Sequence, residues 1–147
     1  MKIATIGKFW LDDTVAPEEA GAIRPYLEKH HALIPPWCES IHVACLVNDA
    51  ENVGCTCQIK TEEEYRRAHL TVFAAWLGEP PEYREQAIVH ELLHLYTERQ
   101  RVFAADLIRL YGAENPAMRS HLFEQLRKAN EATTEDLTLM LTRIARQ

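Results

Sequence analysis

Apolar positions recur at two periods along this chain, and the change between them divides it. The first segment is helical. Pro17 to about His31 is expected to form a helix, with Asp13 or Thr14 before it, Pro17 suited to a first turn, and Glu18 and Glu19 at its positive end. Pro25 is expected to kink or shorten that helix, and Pro35-Pro36 to end the segment. Three stretches with a period of two follow. Ile41, Val43, Cys45 and Val47 alternate along the first. Val53, Cys55, Cys57 and Ile59 alternate along residues 53–60, turned back through Asn48-Asp49-Ala50-Glu51-Asn52. After a polar, helical turn at Thr61–Arg67, residues 69–77 place Leu70, Val72, Ala74 and Trp76 on one face.

From Pro80 onward the pattern is helical. One helix is expected from about Glu82 to Arg99 and another from about Val102 to Tyr111, stopped by Gly112. Asn115-Pro116 should cap and open a third, with Leu122, Phe123 and Leu126 on one face. Thr133 or Thr134 should cap a last helix that turns Leu137, Met140, Leu141 and Ile144 inward. Strands followed by helices predict a single α+β domain over residues 1–147.

Composition narrows the possible partners. A net charge of -6 gives no electrostatic footprint for nucleic acid or an anionic membrane. No stretch approaches the roughly 20 apolar residues needed to span a bilayer. The apolar run in MKIATIGKFWLDD is broken by Gly7 and Lys8, so a signal peptide is not expected, the written start is expected to be the mature one, and the expected location is the cytoplasm. In that compartment Cys38, Cys45, Cys55 and Cys57 should be free thiols. Cys55-x-Cys57 is too close for the usual zinc pair and fits the apolar face of a strand better.

The chemistry concentrates in Ala87-Ile88-Val89-His90-Glu91-Leu92-Leu93-His94-Leu95-Tyr96. Helix positions i and i+4 lie about 40° apart and about 6 Å along the axis, so His90 and His94 can share one ion. Glu91, about 100° round from His90, can border that ion and reach the water position without being a ligand. The rest of the segment is uncharged and mostly apolar. Two histidines and a glutamate there would be costly without partners, and a metal supplies one. Tyr96 is expected in the core, and His30-His31 is read as positive charge at a helix end.

This pattern resembles the zincin-type metallopeptidases of the gluzincin kind, and the element order is similar to that of small bacterial and phage minimal zincins. The likeness rests on IVHELLHLY and the preceding LTVFAAW. It covers most of the chain as element order, while only the five-residue motif is specific. It implies a small, mainly antiparallel sheet, one Zn2+ held by His90 and His94, and Glu91 as general base for peptide-bond hydrolysis. It also implies that an extended peptide pairs with residues 69–76 as the sheet edge. A third histidine ligand at the x-x-G-x-x-H spacing is excluded, because Leu95-Tyr96-Thr97-Glu98-Arg99-Gln100 follows His94. A later glutamate is expected instead. Glu135, before an apolar helix, is the first choice and Glu131 the runner-up; Glu98 and Glu124 read as solvated. His69, Tyr65, Tyr111 and His121 are unranked candidates for stabilising an oxyanion. The rival reading is a zinc-binding regulatory or partner-binding module without turnover, against which the presence of Glu91 argues.

Overall fold

The computed structural model describes residues 4–147. Its elements are β1 (Ala4–Ile6), β2 (Phe9–Leu11), α1 (Pro17–His30), β3 (Ser40–Leu46), β4 (Cys57–Glu62), β5 (Arg67–Phe73), α2 (Ala74–Leu77), α3 (Pro81–Tyr111) and α4 (Pro116–Ile144). The fold is α+β with one five-stranded sheet in the order β1-β2-β3-β5-β4. The β1–β2 hairpin, turning at Gly7 with φ +57°, was not anticipated; its strands have three residues each, too short to show a period.

The sheet is mixed rather than mainly antiparallel. β3 runs parallel to both β2 and β5, and β4 is antiparallel to β5. The turn at 48–52 therefore does not make a hairpin. It carries the chain to the far edge, and β5 enters between β3 and β4. This overturns the edge assignment for residues 69–76: β5 is paired on both sides, and the edge strand is β4. Its backbone donors are already used, so residues 69–73 cannot accept an added strand, and Ala74–Leu77 is a helical turn.

Several boundaries move for local reasons. Residues 53–56 precede β4, with Gly54 at φ +73° and Asn48 Nδ2 donating to the carbonyls of Asn52 and Cys55. Cys57 and Ile59 still face inward as the alternation required, whereas Val53 is exposed. The expected helical turn at Thr61–Arg67 is the end of β4, one 3-10 turn over Glu63–Tyr65, and Arg66 in the left-handed region at φ 53°. α1 runs straight through Pro25, whose position is solvent-exposed, so the Gly21 carbonyl that loses its donor is exposed too. Neither Asp13 nor Thr14 caps α1. Glu19 Oε2 accepts from the Ala16 N–H at 2.8 Å, while Thr14 Oγ1 accepts from Cys45 N–H.

The core fills one side of the sheet. Phe9, Ile41, Val43, Ala68, Leu70 and Val72 pack with Ile23 and Leu27 of α1 and Ile88, Leu92 and Leu95 of α3. Trp76 leaves the strand pattern but stays buried on α2, its indole donating to the Arg84 carbonyl. α3 and α4 are each continuous, where two pairs of shorter helices were expected. Nothing between Arg99 and Val102 breaks a helix. The threonines read as caps are instead an inward stripe: Thr134, Thr138 and Thr142 are buried, each hydroxyl donating to the carbonyl four residues back at 2.7–2.8 Å. Met140 and Ile144, expected inward, are exposed. No helix among the described residues is long and apolar enough to cross a membrane. All four cysteines are free.

Candidate metal centre

α3 places its motif between two elements: β4 on one side and α4 on the other. Its apolar residues Ile88, Leu92 and Leu95 dock on the sheet and fix the rotation of the helix. That rotation turns His90, Glu91 and His94 towards the cleft. A second tether fixes the N-terminal end. Glu85 Oε1 accepts from Lys29 Nζ at 2.6 Å and meets His30 Nε2 at 2.7 Å, with Glu85 and His30 both buried. His30 is thus a link between α1 and α3 rather than only a helix-end charge. Burial would raise the Glu85 carboxyl, but the Lys29 and His30 hydrogen bonds outweigh it and hold it below the usual range.

The Nε2 atoms of His90 and His94 are 3.1 Å apart. Glu131 reaches over from α4, with Oε2 3.3 Å from His90 Nε2 and Oε1 3.5 Å from His94 Nε2. A tetrahedral zinc with ligands at about 2.0–2.1 Å holds its ligand atoms about 3.3 Å from one another. The two imidazole nitrogens are close to that spacing, and Glu131 offers one oxygen to each of them, so the donor set suits a zinc ion.

Glu135, the first choice for third ligand, lies on the other side of His90: its Oε2 is 3.3 Å from Nδ1. A carboxylate beside Nδ1 favours a proton on that nitrogen, which leaves Nε2 free for an ion. Glu131 and Glu135 sit one turn apart on α4, and only the earlier one faces both Nε2 atoms. Glu135 was expected as the acidic residue opening a last helix, but α4 is continuous through that position, so no helix begins there. Asn130 places Nδ2 3.5 Å from His94 Nδ1, a position from which its side-chain amide, turned over, would accept the proton there.

Glu91 also lies within 4.8 Å of both imidazoles, but it is engaged elsewhere: Oε2 accepts from the Ile59 N–H of β4 at 2.8 Å. Burial pushes its carboxyl up to about 7, the nearby Glu131 charge adds to this, and the Ile59 hydrogen bond opposes both. Burial also lowers the His94 imidazole, with His90 acting the same way, which favours the neutral form that binds metal.

Two cavities open on either side of His90 and Glu91. One, of about 520 Å³, is lined by Gln58–Thr61 of β4, by Glu98 and Arg101 of α3, and by Asn130 and Glu131 of α4. The other, of about 440 Å³, is lined by Gly54–Cys57 and by Glu79, Tyr83 and Glu135 among others. Together they make a cleft along the free edge of β4. Glu98 is held by Arg101 at 2.6 and 2.9 Å as a paired residue of the cavity wall. His69, Tyr65, Tyr111 and His121 line neither cavity; Tyr83 lines one and was overlooked. Tyr96, expected in the core, is half-exposed. Ile59 contributes through its backbone, which no side-chain pattern can signal.

No family model matches this chain, and no curated protein or solved structure matches it either.

Proposed function

We propose that this protein is a zinc-dependent peptidase, with His90, His94 and Glu131 as ligands and Glu91 as general base. One observation carries the reading: two imidazole Nε2 atoms 3.1 Å apart, each within 3.5 Å of a Glu131 oxygen, lie beside the buried Glu91 carboxyl in a cleft open along a strand edge. Zinc bound there would polarise a carbonyl and make water acidic enough to lose a proton near neutral pH.

The chain's own residues account for the rest. Glu91 takes a proton from the attacking water and returns one to the leaving nitrogen, so no strong base is released. Glu135 and Asn130 hold the imidazoles from behind at Nδ1. The edge of β4 receives an extended peptide through main-chain hydrogen bonds, which makes few demands on substrate side chains.

The test is a library of unstructured peptides incubated at neutral pH with zinc-loaded protein, beside Glu91→Gln loaded equally. Cleavage that falls by about 10² to 10⁴ in the variant supports the reading. Cleavage unchanged in the variant contradicts it, as does a fully loaded wild type that cuts nothing.

A further inference from the structure

The role of β4 can be taken one step further, to the register in which a substrate lies. In an antiparallel pair each residue turns both its N–H and its C=O to the same side, and the side alternates along the strand. Thr56 O accepts from Phe73 N–H, so the even-numbered residues of this strand face β5. Cys57, Ile59 and Thr61 therefore turn their backbone groups outward, towards the cleft. Of these three outward N–H groups, the central one, Ile59, is already committed to Glu91 Oε2.

We propose that Ile59 sets the cleavage register: its N–H positions Glu91 and thereby leaves a gap in the ladder, so that the peptide carbonyl opposite Ile59 is the one attacked. This rests on the peptidase reading. A substrate residue opposite Ile59 donates its N–H to the Ile59 carbonyl, but its own carbonyl finds no donor on β4. Residues two on either side keep both bonds through Cys57 and Thr61. The unpaired carbonyl is left free to turn towards His90 and His94, and it lies beside the carboxyl that occupies its place in the ladder. Ile59 is thus a positioning residue acting through its backbone on Glu91. The two cavities, which meet at His90 and Glu91, receive the chain on the two sides of that bond.

Two prolines on the same edge separate this from ordinary strand pairing. Both remove an outward N–H and spare the bonds to β5, and a strand edge tolerates proline. Ile59→Pro should lower kcat at least about 10-fold, the scale of a misplaced general base, with KM within about 2-fold. Thr61→Pro should raise KM and leave kcat near wild type. A rise in KM alone in both variants overturns the proposal. Amide hydrogen exchange tests it without turnover. The Ile59 amide should be protected in the free protein and lose that protection at least about 10-fold in Glu91→Ala. In Glu91→Gln, whose amide oxygen still accepts the bond, a capped octapeptide of alternating alanine and threonine should slow exchange at Thr61 but leave Ile59 unchanged. An Ile59 amide that exchanges freely without peptide, or that gains protection together with Thr61, overturns the register even if peptides are cut. Absence of cleavage with the predicted exchange pattern contradicts the peptidase reading and leaves the edge geometry standing.

Discussion

Glu131 and His90 face each other across the α3–α4 contact, Oε2 to Nε2, at 3.3 Å. The same carboxylate reaches His94 with its other oxygen, so one side chain of α4 bridges both imidazoles of α3. Glu135, one turn on, touches only the back of His90.

Zinc affinity should therefore separate the two glutamates. Glu131→Gln removes a ligand and should weaken binding by more than 100-fold. Glu135→Gln removes the negative charge behind Nδ1 and should cost about 10- to 100-fold at most, the usual scale for a group that orients a metal-binding histidine. Competition with a chromophoric chelator measures both. A larger loss in Glu135→Gln would exchange the two roles.

The sequence made the pairing of His90 with His94 legible because i, i+4 geometry puts both histidines on one face whatever surrounds them. It also showed which β4 residues face inward at Cys57 and Ile59. It could not show strand order, because β4 leaves β3 through a turn that looks like a hairpin and only the pairing of β5 with β3 excludes one. The α4 face was hidden for a different reason. Thr134, Thr138 and Thr142 look like caps or surface residues, yet each hydroxyl is satisfied by the carbonyl four residues back, and so can be buried against a neighbouring helix. That stripe puts both Glu131 and Glu135 on the face towards α3, and only their distances to His90 and His94 separate them.

That packing makes its own prediction. Thr138 is fully buried, and Thr138→Leu overfills its place. A loss of about 1–3 kcal/mol is expected. Because α4 carries Glu131, zinc affinity should fall as well, though Thr138 touches no ligand. Calorimetry and a chelator titration on one sample test this; a drop in melting temperature with unchanged affinity would separate the packing from the site.

The pH dependence of metal-free protein should show Glu91. Its folded carboxyl sits at about 7, while an unfolded glutamate titrates near about 4.3. Between those values the folded state holds more protons, so stability should fall as pH rises through that window, by on the order of 3 kcal/mol. Glu91→Gln should remove this slope. Urea unfolding with chelator across that range measures it, and an unchanged slope in the variant would refute the assignment.

Glu85 should act in the opposite sense. Its carboxyl is held below the usual range, so the stability it lends is complete above the unfolded value of about 4.3 and is lost as pH falls through the lower folded value. At neutral pH, Glu85→Ala leaves Lys29 and His30 without their shared acceptor and should cost about 1–3 kcal/mol. Denaturant unfolding checks this, and a neutral effect would mean that the link between α1 and α3 contributes nothing.

The most direct test of the central claim is the zinc content of purified protein by plasma mass spectrometry, beside His90→Ala and His94→Ala. The account predicts about one zinc per wild-type chain and almost none in either variant, with each variant still folded by circular dichroism. A wild type that takes up no zinc when it is supplied, or a folded double variant that keeps full occupancy, would contradict it.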